Sequence, residues 1–222
     1  MTAAPPTTAL VVGTLFLGLI ASFFWPLTQH LITIAHEGSH AMVGSVTGGK
    51  VGSMKLNRDG TAETNLAGAN GFLAALAGYA GPSFFGVVAA TMLAHRVSPD
   101  VVLWGSLVLL VVIFLQVRNV FGWFAVIVAG LVFFMVGHYG TATGRTVFVY
   151  TWVWFLLLGG FVHTVRYNIS STGWSADAGI LRDLTKLPRG LWGLVWWLAT
   201  LAALGYGGGL LLGLVDPVLT KM

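Results

Sequence analysis

The sequence predicts an all-α polytopic membrane protein, and three observations carry that expectation. Hydrophobic residues make up 56% of the 222 and charged residues only 8%, against about a quarter charged in an ordinary soluble domain. Mean hydropathy is +0.85. The apolar residues also gather into long runs, and a bilayer core of about 30 Å takes roughly 20 apolar residues as a helix. Seven acids and eleven bases cannot give a 23.5 kDa globule a wettable surface.

The runs are Leu10 to Phe24, Leu27 to Val46, Ala69 to Ala94, Val101 to Val117, Val120 to Gly137, Thr146 to Val165 and Leu191 to Leu214. They predict six to seven transmembrane helices forming a single unit over 1–222. The divisions at Pro26 and at Arg118-Asn119 separate the six-span from the seven-span reading. The opening MTAAPPTTAL lacks the basic stretch of a secretory signal, so the first run is expected to stay as a span.

Segment 48–68, GGKVGSMKLNRDGTAETNLAG, is too polar to span. Val51, Met54 and Leu56 precede Asp59-Gly60, a strong turn signal, and Thr61 to Leu66 forms a candidate return strand. A short β-hairpin or re-entrant loop is expected here, the alternative being a solvated connector.

The formal charge is +4, but the bases stand singly among apolar runs and form no patch, which excludes nucleic acid as a partner. With no Cys, thiolate nucleophiles and Cys-type zinc sites are excluded, so any metal must be held by His and carboxylates. Orientation follows from Lys and Arg. With seven spans and a cytoplasmic N-terminus, the cytoplasmic side holds Lys50, Lys55, Arg58, Arg118, Arg166, Arg182, Lys186 and Arg189, and the other side Arg96, Arg145 and Lys221. Segments 48–68 and 166–190 then share the cytoplasmic side.

One motif carries chemistry. The second run contains HEGSH, with His36, Glu37 and His40. On a helix, positions i and i+4 lie about 40° apart, so both imidazoles project from one face. They can present two nitrogens to one zinc ion at about 2.0–2.1 Å. Glu37 is turned about 100° from His36 and about 60° from His40, close enough to reach a water beside the ion. That is the HExxH pattern of two ligands and a general base. An ionisable group at mid-bilayer costs roughly 2.5–3.5 kcal/mol on insertion scales, which makes an intramembrane Glu a functional candidate by default. The competing explanation is a hydrogen-bonded cluster that packs helices together.

A catalytic zinc takes three protein ligands, and the remaining acids are few. Asp100 and Asp216 fall on the opposite side, and Asp59 is explained by its turn. Asp177 lies in GWSADAGILRDL, where Trp174, Ala178, Ile180, Leu181 and Leu184 mark the start of a short amphipathic helix with Ser175 as its N-cap. Asp177 is the first choice for the third ligand, Asp183 the second, and Glu63 and His163 stay open. His30 is turned about 120° away from His36, and His95 and His138 sit on the far side. Asn168-Ile169-Ser170 matches a glycosylation sequon on the predicted cytoplasmic side.

HEGSH inside an apolar run, followed by a late Asp on the same side, resembles the site-2 protease family of intramembrane zinc metallopeptidases, in its small bacterial branch without a PDZ domain. The likeness extends to the GG-x-V hairpin segment, to Gly78-Tyr79-Ala80-Gly81-Pro82 and to Asp177-Ala178-Gly179. It implies zinc on His36, His40 and Asp177, Glu37 as the base, and a multi-pass location in a bacterial plasma membrane. It also implies hydrolysis of a transmembrane protein substrate within the lipid bilayer near the cytoplasmic side. Gly81 and Pro82, with Val51 and Met54 on the hairpin, are the candidate substrate-binding residues. Two positions depart from the pattern. Phe85 stands where many relatives place Asn, and Ala178 intervenes between Asp177 and Gly179. The alternatives are a metal transporter using the same two His and an inactive zinc-binding relative that chaperones membrane proteins.

Overall fold

A computed structural model describes residues 6–169 and 176–216. Trp174, Ser175, Ser170 of the sequon and Lys221 lie outside the described residues. Each of the seven apolar runs forms a helix, and the short amphipathic segment adds an eighth. The helices are α1 (Thr8–Phe23), α2 (Trp25–Val46), α3 (Gly71–Ala94), α4 (Pro99–Phe114), α5 (Val120–Tyr139), α6 (Ala142–Ile169), α7 (Ala176–Thr185) and α8 (Arg189–Leu212). Between α2 and α3 an antiparallel pair, β1 (Lys50–Leu56) and β2 (Ala62–Ala67), makes the expected hairpin.

Local chemistry explains most boundaries. Asn70 caps α3, its side chain accepting from the N–H of Leu73, and Ser98 caps α4 with Pro99 in the first turn. Between α1 and α2 the helix breaks at Phe24, and Pro26 opens the new helix. Proline has no N–H to continue the ladder of α1 but suits a first turn. The two axes differ by 99°.

That bend decides the topology. Thr7 and Leu10 at the start of α1 share a cavity with Arg96, Val97 and Pro99 between α3 and α4, and with Ala142 at the start of α6. At the other end lie the hairpin, the α4–α5 connector, α7 and the start of α8. There the Trp196 indole N–H donates to the Leu76 carbonyl in the second turn of α3. Helix α2 turns across the bundle at this bend, with Trp25 beside the His163 ring of α6 and Thr47, just past its last turn, accepting from the N–H of Asn70 at the start of α3. Thr7 and the hairpin lie at opposite ends of the bundle. By length and apolarity α3, α5, α6 and α8 can each cross a membrane, and the bent α1–α2 pair makes up to five. The apolar α4 has 16 residues, about 24 Å.

The hairpin lies along α2. Gly60, at φ +86° in its turn, approaches Gln29 so closely that a Cβ would fall 2.7 Å from the Gln29 side chain. The Thr33 hydroxyl donates to the Gly60 carbonyl at 3.1 Å. Met54 and Leu56 are buried in the core, while Lys50 and Lys55 are exposed. The second edge of β1 is also occupied: Met54 N–H donates to the Gln116 carbonyl and Arg118 N–H to the Met54 carbonyl. Asn119 acts like a further strand residue, its side chain bonding both the N–H and the C=O of Leu56, at 3.1 and 2.6 Å.

Candidate metal centre

The site is built on the middle of α2, where His36 to Ala41 are all buried. His36 and His40 lie one turn apart, their rings edge to face with centroids 4.7 Å apart and their Nε2 atoms separated by 3.1 Å. Asp177, in the first turn of α7, directs Oδ2 to 3.2 Å from Nε2 of His36 and 3.4 Å from Nε2 of His40. The three atoms form a nearly equilateral triangle. A tetrahedral zinc with ligands at about 2.0–2.1 Å requires donors about 3.3 Å apart.

The hydrogen bonding aims these atoms. His40 Nδ1 is 2.7 Å from the Ala74 carbonyl. With the proton on Nδ1 donating there, the lone pair of Nε2 points at the other two donors, the usual arrangement of a metal-binding imidazole. Lone pairs that converge at this spacing repel unless a cation or protons lie among them.

Space is provided by Gly78 on α3. A Cβ there would press into the His40 ring at Nε2 and lie 2.7 Å from Nε2 of His36, beside the triangle. Two imidazoles, a carboxylate and this vacated volume fit a divalent cation of the zinc type.

Glu37 is buried, 4% exposed, and a carboxylate oxygen of it comes within 4.8 Å of the His36 and His40 ligand atoms. Two carboxylates thus flank the imidazole pair, and their surroundings differ. Asp177 faces both rings directly. Glu37 Oε2 accepts a 2.6 Å hydrogen bond from the Thr64 hydroxyl on β2, which keeps this group to one side. Tyr79 packs edge-on against His36 at 4.7 Å and stacks with His163 at 5.2 Å. A cavity of about 550 Å³ opens onto His36, Glu37, His40, Tyr79, Asp177 and the length of β2. Gly78 is seven residues into α3, so the site lies about 10 Å below that helix end.

The structure thus brings His36, Glu37, His40 and Asp177 together. His163 lines the same cavity, its ring 5.2 Å from that of His36. Asp183 is exposed and paired with Arg182 at 2.6 Å. Glu63 is exposed on the cavity wall, and Asp59 accepts from Thr61 within the turn. The expected substrate-binding residues are elsewhere. Met54 is core, Val51 packs against the core, and Gly81 and Pro82 are buried on α3, a Cβ on Gly81 meeting the Ser39 side chain of α2. None of the four lines the cavity, whose sheet wall is β2. Sequence reasoning missed Thr64, the Ala74 carbonyl and the contact of Gly78 with both rings. Only the alternation of β2 hints at which way Thr64 faces.

A family model described as Peptidase M50B-like matches residues 8–207. The chain belongs to this family, which is one of site-2 proteases. At family level its function is that of a membrane metallopeptidase, and the transporter and chaperone alternatives are not favoured. No curated protein and no solved structure gives a significant match.

Proposed function

We propose that the protein is a zinc-dependent intramembrane endopeptidase that cuts transmembrane proteins near the end of the bundle bearing the hairpin. The observation that carries this reading is the triangle of His36, His40 and Asp177 donors beside a separate buried carboxylate, under an open strand edge. His36, His40 and Asp177 would hold the ion, and 1–222 would act as one catalytic unit. Zinc bound there supplies Lewis-acid activation of water and of the scissile carbonyl. Glu37 takes the proton of the attacking water on the oxygen that Thr64 leaves free and returns it to the leaving amine. The cavity supplies hydration that lipid lacks.

A peptide bond inside a helix is shielded by its own hydrogen bonding, so the substrate must be extended when it reaches the site. Strand β2 offers the means. Asn57 N–H bonds the Thr61 carbonyl, which sets residues 61, 63 and 65 facing β1. The N–H and C=O groups of Ala62, Thr64 and Leu66 then face the cavity, where an unwound substrate can pair by β-augmentation. This moves the docking edge from Val51 and Met54 to the return strand. The bases near the hairpin and α7 support a cytoplasmic position for this end in a cell membrane, with Thr7 then on the other side.

The test is cleavage of single-span membrane proteins co-reconstituted with the enzyme in lipid. Glu37→Gln should lower the rate by about 10²- to 10⁴-fold while zinc stays bound. Full activity of that variant ends the proteolytic reading.

A further inference from the structure

We propose that Thr64 is a positioning residue that fixes the carboxylate of Glu37 and ties it to the strand on which substrate docks. The inference rests on the proteolytic reading above and adds to it a residue outside the HExxH motif.

Two independent features meet at this residue. Through its side chain, Thr64 donates to Glu37 Oε2 at 2.6 Å, a short hydrogen bond for a hydroxyl donor. Among the described residues no Lys or Arg forms an ion pair with Glu37, and this hydroxyl is a direct restraint on its carboxylate. Thr is β-branched and restricted at χ1, which limits how far the donor can swing.

Through its backbone, Thr64 is opposite Met54 in the register. Met54 directs its N–H and C=O away from β2, to Gln116 and Arg118. In an antiparallel pair directly opposed residues either both face inward or both face outward. Thr64 therefore turns its own N–H and C=O outward, onto the cavity edge. One residue thus pairs with the incoming peptide and orients the base that acts on it. The hairpin is braced on both sides, by Thr33 on the Gly60 carbonyl and by Asn119 on Leu56, so the distance from docking edge to base is set by the scaffold. A substrate that pairs out of register presents its scissile bond to the wrong point relative to Glu37. Docking and chemistry are thereby linked through a single side chain.

The experiment compares wild type, Thr64→Val, Thr64→Ser and Glu37→Gln, each in lipid with the same membrane substrate, reading kcat, KM and bound zinc. Thr64→Val keeps the shape and the backbone edge but removes the hydroxyl. It should lower kcat by about tenfold to a hundredfold, the range found when an outer-shell partner is lost, with KM within about twofold and zinc unchanged. Thr64→Ser should recover most of kcat. Wild-type kcat in Thr64→Val, a change in KM alone, or loss of zinc in that variant would each overturn the assignment. If Thr64→Val does not fold, Thr64→Ser against Thr64→Ala decides in the same terms, and equal kcat in those two overturns it. Failure of the underlying reading looks different: Glu37→Gln would then cleave as well as wild type, whatever Thr64 does.

Discussion

Replacing Gly78 by Ala adds one methyl group beside the donor triangle. Its carbon would lie 2.7 Å from Nε2 of His36 and closer still to Nε2 of His40. The first distance is about 0.8 Å inside carbon contact, so at least one ring must retreat by that order. Ligand distances at a zinc site hold to about 0.2 Å, so the displaced imidazole is lost as a ligand. Loss of an outer-shell partner alone costs about 10- to 100-fold in metal affinity. Loss of a direct ligand should exceed that, about 10³-fold or roughly 4 kcal/mol. The fold should tolerate the change, because Ala is favoured over Gly by about 1 kcal/mol in a helix interior. The assay is zinc affinity by chelator competition in detergent, beside the Tm of both metal-free proteins. Wild-type zinc affinity in Gly78→Ala, with helicity intact, would refute the placement of the ion among these three donors.

Other expectations follow from the same geometry. His36→Ala and Asp177→Ala should each lose bound zinc while Asp183→Ala keeps it, measured as metal per purified protein; retention in Asp177→Ala moves the third donor elsewhere. Asn119→Ala leaves the N–H and C=O of Leu56 without their side-chain partner, at about 1–3 kcal/mol for each group left unsatisfied, and should speed amide exchange over residues 50–66; unchanged exchange would mean the side-chain bridge does not hold the hairpin. The absence of Cys makes single-cysteine labelling clean. Thr7→Cys and Arg58→Cys should react with an impermeant reagent from opposite faces of sealed vesicles, and labelling from the same face would contradict the end-to-end course of α1.

Much of this was legible in the residues. The hydropathy of the runs located seven helices, because helices longer than four turns leave an unbroken apolar signature. Asp59-Gly60 located the hairpin through turn chemistry, and the i, i+4 spacing of His36 and His40 placed two imidazoles on one face. The course of α2 was not legible. An apolar helix that turns across the bundle has the same hydropathy as one that runs along it, and the difference lies in a backbone bend at Phe24 supported by contacts with α3 and α6. The second partner of β1 was hidden for a similar reason, since Met54 and Gln116 are far apart in sequence and their pairing is through backbone atoms. Thr64 looked like one polar residue among several, and its bond to Glu37 exists only because the hairpin folds back along α2.

The closure of β1 by the α4–α5 connector also bears on how copies of this chain coexist. An uncovered ribbon margin is a template for joining one molecule to the next, and crowding in a two-dimensional bilayer raises that hazard. Here the outer margin is capped by Gln116 and Arg118, and the inner one borders the molecule's own cavity. Along Met54 to Leu56 the ribbon therefore offers neighbouring copies no free backbone groups, which leaves the β2 margin as the place where a guest chain can join.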